Sequence, residues 1–202
     1  DLEPAIDRFH ILEHYLEQLD RVRGDARETA AELDFVDRWI EEFADAGVEA
    51  SQVIHGDCKV NNLLFDPDDD VAIRVVDLDT LMVGAPEWDF GDLVRSVCVG
   101  SEEAGDGVEV NTGRLDDVVQ GFFQEYALEP SLVERFAHAP AHMSFMLGVR
   151  FLTDHLAGDR YFKTERRGQN LARARSQFAL AQRFDEVRAG IATRIDEVSS
   201  PV

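Results

Sequence analysis

Residues 55–65 read HGDCKVNNLLF, and residues 75–79 read VVDLD. Asp57 is followed five positions later by Asn62, and Asp77 comes fifteen positions after that. Short apolar runs flank these residues, and runs of this length bounded by turn residues predict strands. The spacing therefore predicts that two carboxylates and an amide lie at the ends of strands.

This set of side chains indicates phosphoryl transfer. The reaction needs a carboxylate that accepts the proton of an acceptor hydroxyl, and oxygen ligands that hold Mg²⁺ against the nucleotide phosphates. We expect Asp57 to be the base and Asn62 and Asp77 to hold the metal. The alternatives are structural: a turn-capping role for Asp57 and an Asx turn for Asn62. His-x-Asp alone is common, whereas the complete spacing is specific.

Helical periodicity dominates the rest of the chain. Apolar residues recur every three to four positions over 6–23, from Asp25 to Phe43, and over 87–98, 115–127, 130–157 and 166–197. Three strands are predicted, at Gln52–His55, Asn62–Phe65 and Val71–Asp77. Residues 100–114 are rich in glycine and acids and are predicted to be a loop. The chain of residues 1–202 is therefore predicted to be a single, mostly helical α+β domain.

The charge of the chain excludes one class of partner. The sequence has 20 Lys and Arg residues against 41 Asp and Glu, which gives a formal net charge of -21. Such a surface repels phosphate backbones, so we expect no nucleic-acid partner. Only Lys59 and Lys163 are lysines. Two explanations of the acidity stay open: adaptation to high salt, or the arginine-rich composition of a GC-rich organism.

The remaining composition indicates a cytoplasmic protein. No run of about eighteen apolar residues is present, so we expect no membrane contact. The chain begins at Asp1 without a methionine or a basic-then-apolar leader, as the inside of a longer protein does. Two cysteines, Cys58 and Cys98, provide no disulfide framework and suit a reducing cytosol.

Two further clusters match metal sites only in part. The turn Asp66–Asp70 joins the second and third predicted strands, but it lacks the central Gly and the terminal Glu of an EF-hand loop. His55 and Cys58 are not followed by a second Cys/His pair at zinc spacing. A solvated hairpin turn and a loop without zinc are therefore favoured.

Three other polar residues have alternative roles. Asp79 is either a partner of the metal ligands or a cap. Asp89 begins a helix and is expected to accept backbone N–H groups and brace the catalytic loop. Arg150 lies in an apolar helix and needs a partner, either Asp154 in a structural ion pair or a polar ligand.

The motifs resemble the C-terminal lobe of aminoglycoside phosphotransferase-like kinases, which have the protein-kinase-like fold. The most similar branch is the N-acetylhexosamine 1-kinase-like group, with the patterns HNDTKxNNxLFD, IDLDTxMPG and YDFGDxIR. The corresponding segments are HGDCKVNNLLFD at 55–66, VDLDTLMVG at 76–84 and WDFGDLVR at 88–95. Residues 148–163 and 168–178, and the Phe9-His10 start, also resemble this branch, so the likeness covers almost the whole chain.

The resemblance implies a phosphotransferase with an alcohol group as acceptor, ATP as co-substrate and Mg²⁺ as cofactor. Asp57 is then the catalytic base, Asn62 and Asp77 are the Mg²⁺ ligands, and Lys59 neutralises the transferred phosphoryl group. The implied contacts to a sugar or amino-sugar acceptor are Arg150, Tyr161, Asp79 and His10. Two residues are implied to brace the catalytic loop, His55 and Asp89.

Departures from the branch pattern bear on the acceptor. Gly56, Cys58 and Val83 stand where the branch has Asn, Thr and Pro, which leaves the acceptor open among sugars and amino alcohols. No Gly-rich loop precedes Asp57, so we expect the catalytic and acceptor-binding lobe without its N-terminal nucleotide lobe. A second hypothesis is a separated sugar-binding module without catalysis, although the intact metal ligands favour the kinase. The oligomeric state stays open.

Overall fold

The computed structural model describes residues 11–24, 27–44, 51–69, 71–99, 109–126 and 128–199. Six α-helices lie in these ranges: α1 Leu12–Val22, α2 Ala30–Phe43, α3 Pro86–Cys98, α4 Thr112–Glu125, α5 Val133–Leu156 and α6 Gln169–Ser199. The same ranges contain four short strands: β1 Gln52–Ile54, β2 Leu63–Phe65, β3 Ala72–Val75 and β4 Met82–Gly84. A mostly helical α+β fold is therefore confirmed.

The helix boundaries differ from the predicted ones by a few residues, for local reasons. Helix α4 begins at Thr112 because Asn111 Oδ1 accepts the N–H of Arg114 at 3.1 Å and caps the helix. Short 3₁₀ turns, Arg27–Thr29 and Pro130–Leu132, precede α2 and α5. Asp25 and most of the predicted loop 100–114 lie outside the described residues. None of the helices described combines the length and apolarity needed to cross a membrane.

The core lies where α5 packs against α6, α3 and α1. Close contact between α3 and α5 requires glycine at position 91, because a Cβ there would lie 2.6 Å from the Ala139 carbonyl oxygen. Aromatic rings fill the interfaces in two groups, one of Phe90, Phe122, Phe123 and Phe136, the other of Phe35, Trp39, Phe43, Phe145 and Phe178. Each fully buried side chain of this kind contributes about 1.5–3 kcal/mol.

The strands form two antiparallel pairs. Strands β2 and β3 pair with Leu63 opposite Val75, which confirms the predicted hairpin around the acidic turn. Strand β1 pairs with β4, with Ile54 opposite Met82. Strand β4 is not predicted from the sequence. A strand of three residues has too little periodicity to be recognised, and its partner β1 lies about thirty positions earlier.

Candidate active site

The site is built on the loop that follows β1. This loop packs against the 3₁₀ turn Leu78–Thr80, which precedes β4. Gly56 has φ +76° in this loop, and a Cβ there would lie 2.6 Å from the Thr80 carbonyl oxygen. Only glycine fits both the left-handed backbone and this close approach. Gly56 is therefore required by the packing of the loop against residues 78–80 in this structure.

Asp89 and His55 hold the backbone of this loop. Asp89, in the first turn of α3, accepts the N–H of His55 at 2.7 Å and the N–H of Gly56 at 2.9 Å. Burial raises the pKa of Asp89 above its ordinary value, against the opposing effect of these two N–H groups. The His55 ring contacts the Val76 carbonyl oxygen through Nε2 at 3.2 Å and accepts the Asp57 N–H at Nδ1.

The Asp57 carboxylate lies between two donors. Lys59 Nζ is 2.5 Å from Asp57 Oδ2, and Asn62 Nδ2 is 3.0 Å from the same oxygen. Burial alone would raise the pKa of Asp57, but the hydrogen bonds from Lys59 and Asn62 and the charge of Lys59 outweigh it and lower the pKa. Asp57 is therefore ionised at neutral pH. Neither donor uses Oδ1, which leaves this oxygen for an incoming hydroxyl.

Asn62 precedes β2 and Asp77 follows β3, so both lie at the open end of the β2–β3 hairpin. The N–H of Val76 donates to the Asn62 carbonyl oxygen at 2.9 Å, which extends the strand pairing by one position. Asn62 is 7 % exposed and its Nδ2 points to Asp57, so Oδ1 is the atom left for a cation. Asp77 has φ +62°, in the left-handed region that non-glycine residues adopt rarely and that recurs at functional sites.

An apolar run before Asp77 predicts a strand end at which an uncompensated carboxylate is costly and needs a metal or hydrogen-bond partners. The structure differs, because all four residues of β3 are exposed and Asp77 itself faces solvent. Its carboxylate therefore needs no buried partner. Asp79 is also exposed, in the 3₁₀ turn Leu78–Thr80.

The oxygens of Asn62 and Asp77 fit Mg²⁺. Proteins commonly hold this ion through one or two oxygen ligands together with substrate phosphates. Within the described ranges, no group of three or more His, Cys, Asp or Glu residues could hold a metal. A cation held by Asn62 and Asp77 would take its remaining ligands from water or phosphate oxygens.

A cavity of about 490 Å³ opens beside Asp57. Its walls come from the catalytic loop, α3, α5, α6 and the segment between α5 and α6, and they include Gly56, Asp57, Lys59, Arg150 and Tyr161. Asn62, Asp77 and Asp79 are not among its lining residues. A second cavity of about 600 Å³ shares Lys59 but lacks Asp57. The first cavity is therefore the one in which an acceptor hydroxyl can reach the carboxylate.

Arg150 is held by aromatic rings. Its guanidinium carbon lies 5.0 Å from the ring centre of Tyr15 and 5.5 Å from that of Phe162, within the range of cation–π contact. The alternative of an ion pair with Asp154 is wrong. Asp154 instead accepts the N–H groups of residues 160–162 at 2.8–2.9 Å and the Asn170 amide at 2.8 Å. It organises the segment that carries Tyr161, which is 71 % exposed at the cavity.

Comparison with known families covers the first part of the chain. The model of the phosphotransferase enzyme family matches residues 4–126, more than half of the 202 residues. The chain belongs to this family. Kinase-like phosphoryl transfer is the activity that membership indicates. The match includes Asp57, Asn62, Asp77 and Asp89 and ends before α5 and α6, which form the far wall of the cavity.

The structure brings most of the predicted site residues together. Four of them line one cavity: Asp57, Lys59, Arg150 and Tyr161. Asn62 contacts Asp57, whereas Asp79 does not reach the cavity, and His10 lies outside the described residues.

Other residues at the site were not predicted from the sequence. Ser96 accepts the N–H of Val60 through Oγ at 3.1 Å and so holds the end of the loop. Lys163 and Arg173 line the cavity. One signal was available for Lys163, because it is one of only two lysines and the other, Lys59, lies in the catalytic loop.

Proposed function

We propose that this chain is the catalytic and acceptor-binding lobe of an ATP-dependent kinase that phosphorylates a hydroxyl group of a sugar. The observation that carries the proposal is the ionised Asp57, held by Lys59 and Asn62 at the wall of a cavity of about 490 Å³. This volume lies within the range of small-molecule sites, about 300–1,000 Å³.

The proposed reaction uses these groups as follows. The acceptor hydroxyl lies in the cavity and donates a hydrogen bond to Asp57 Oδ1. Its oxygen forms a bond to the γ-phosphorus as the bond from that phosphorus to the bridging oxygen breaks, ADP leaves and Asp57 takes the hydroxyl proton. Lys59 offsets the charge of the transferred group. Asn62 Oδ1 and Asp77 would hold Mg²⁺, which would supply charge neutralisation for the nucleotide phosphates.

An exposed apolar surface supports a nucleotide lobe in the complete protein. Leu64, Phe65, Ile73 and Val75 of the β2–β3 hairpin are 46–60 % exposed, next to Asp77. Exposed apolar side chains grouped on one short hairpin commonly mark an interaction site. A bound nucleotide and the lobe that carries its Gly-rich loop would cover it.

The finer proposal concerns the acceptor. The motif likeness is to an N-acetylhexosamine 1-kinase-like branch, but Gly56, Cys58 and Val83 depart from its pattern and leave other sugars as candidates. The charges along the cavity disfavour an amino sugar with a free ammonium group, because cations predominate there.

The test is Mg²⁺-ATP-dependent phosphorylation of a panel of sugars by the complete gene product. Asp57→Asn keeps the shape of the side chain and should lower kcat about 10²–10⁴-fold, because a positioned base contributes this much. Asp117→Asn, which removes an exposed carboxylate of α4, is the matched control. Sugar binding without any turnover in the wild type would identify a non-catalytic binding module. Undiminished turnover in Asp57→Asn would exclude Asp57 as the base.

A further inference from the structure

The charge of the cavity is opposite to that of the protein. The chain as a whole has two acids for each base, whereas five basic side chains and two carboxylates, Asp57 and Asp92, line the cavity. The five are Lys59, Arg95, Arg150, Lys163 and Arg173, which include both lysines of the sequence. In a chain with a net charge of -21, this concentration of cations indicates a ligand of negative charge.

Two of the five cations already face the carboxylates. Lys59 Nζ contacts Asp57 at 2.5 Å, and the Arg95 guanidinium contacts Asp92 Oδ1 at 2.7 Å through a buried pair. Three more cations lie on the wall formed by α5, α6 and the segment between them. Among the residues that the structure describes, Arg150 and Lys163 have no carboxylate partner. Their charges are therefore available to a ligand.

Neutral groups hold Arg150 in place. The rings of Tyr15 and Phe162 flank its guanidinium. Aromatic contacts orient a guanidinium without neutralising it, and its planar fork matches carboxylate and phosphate oxygens. Arg173 donates to the Lys163 carbonyl oxygen at 3.1 Å and so positions the backbone that carries Lys163.

The cationic wall faces the acceptor side of Asp57. Asn62 and Asp77, the residues suited to Mg²⁺ and nucleotide phosphates, do not line the cavity, whereas Asp57 does. An anionic group on this wall therefore belongs to the molecule whose hydroxyl meets Asp57. Arg150, Lys163 and Arg173 lie on α5, α6 and the segment between them, beyond residues 4–126 that the family model matches.

We infer that the acceptor carries a carboxylate or phosphate group in addition to its reacting hydroxyl, and that Arg150 and Lys163 bind this group. The inference rests on the proposed function, because it names the substrate class of the same site. A sugar acid and a sugar phosphate both have the required chemistry. Cationic aminoglycosides and amino alcohols do not.

The test is calorimetric binding of a matched series of sugars to this chain in the absence of nucleotide. The series is glucose, N-acetylglucosamine, glucosamine, glucuronate and glucose 6-phosphate, which differ mainly in charge. At least one of the two anionic sugars should bind tenfold or more tightly than glucose, and their order identifies the carboxylate or the phosphate as the preferred group. Equal affinities, or a preference for glucosamine, would overturn the inference.

Variants assign the preference to the cavity. Arg150→Gln and Lys163→Gln should each raise the Kd of the preferred anionic sugar about 10–100-fold, the effect of a lost charge-assisted hydrogen bond, and change the Kd of glucose little. Lys163 is exposed in a loop, so its replacement does not endanger folding. Arg183→Gln removes the same charge from the surface of α6 and should have no effect. A preference that survives both cavity variants would disprove the assignment.

Two results separate this inference from the proposed function. If the complete protein bound anionic sugars selectively but showed no phosphoryl transfer, the anion site would be supported and the proposed kinase activity would be wrong. If the same protein phosphorylated only neutral sugars efficiently, the kinase activity would be supported and the anion site would be wrong. Competition between Mg²⁺-ATP and the anionic sugar would place the cations in the nucleotide site and overturn the inference.

Discussion

Asp154→Asn is expected to destabilise the protein and to loosen the segment between α5 and α6. Asp154 is 6 % exposed, and its two oxygens accept four hydrogen bonds. Oδ1 accepts the N–H groups of Arg160 and Tyr161, and Oδ2 accepts those of Phe162 and the Asn170 side chain. Asparagine has nearly the same shape but offers one oxygen and one NH₂ group. Two of the four donors must therefore face another donor, whichever way the amide is turned.

The magnitude follows from these two lost contacts. A hydrogen bond to a charged group contributes about 1.5–3 kcal/mol, so the expected loss is about 3–6 kcal/mol. This agrees with the cost of removing one partner from a buried charged network, about 3–5 kcal/mol. The loss is a large part of the about 5–15 kcal/mol that stabilises a typical domain. For a domain of about 150–250 residues, each 1 kcal/mol lowers Tm by roughly 2–4 °C, so a fall on the order of 10 °C is expected.

Urea unfolding followed by the fluorescence of Trp39 and Trp88 measures the free energy directly. Asp117→Asn removes the same charge from the exposed face of α4 and should stay within about 0.5 kcal/mol of the wild type. Amide hydrogen exchange gives the local result, because the N–H groups of residues 160–162 should lose their protection in Asp154→Asn. If the two variants had the same stability, Asp154 would not be the anchor of this segment.

Three further predictions concern the catalytic loop and the surface. Lys59→Gln removes the main group that lowers the pKa of Asp57, so burial should raise that pKa. The acid limb of the kcat/KM profile should then move to higher pH, which is measured between about pH 4 and pH 8. An unmoved limb would contradict the prediction. Gly56→Ala places a Cβ in a left-handed backbone and against the Thr80 carbonyl oxygen. The free energy of unfolding in urea should therefore fall by at least about 1–2 kcal/mol. An unchanged free energy would refute the packing argument. If the acidity reflects a saline cytoplasm, Tm should rise between low and molar KCl as repulsion is screened, whereas a flat Tm favours the compositional explanation.

Features that depend on neighbours along the chain could be predicted from the sequence. The apolar period of each helix and the turn residues of the β2–β3 hairpin are local, so their places were found to within a few residues. Asp57 and Asn62 are five positions apart in one loop, and their side chains meet at 3.0 Å. Strand β4 could not be predicted, because its three residues have no recognisable sequence pattern and are stabilised by pairing with β1.

The exposure of the strand before Asp77 could not be read from its composition. An apolar run predicts burial only if another surface covers it, and the residues of β3 remain open to solvent in this chain. The same limit applies to Arg150. Its helix indicated that it needed a partner, but not that two aromatic rings from other segments would supply the contact while Asp154 was used elsewhere.

The sequence by itself determined the phosphoryl-transfer motif, because the spacing of a carboxylate, an amide and a second carboxylate along one loop and hairpin sets which groups can meet. Only the tertiary structure decided what that motif faces. Lys59 and Asp57 share a cavity with Arg150, Lys163 and Arg173, which lie about a hundred positions away on α5, α6 and the segment between them. Contacts between residues so far apart in the sequence depend on how the helices pack. The periodicity of the sequence predicts each helix but not which charged side chains the packing brings to the same wall of the cavity.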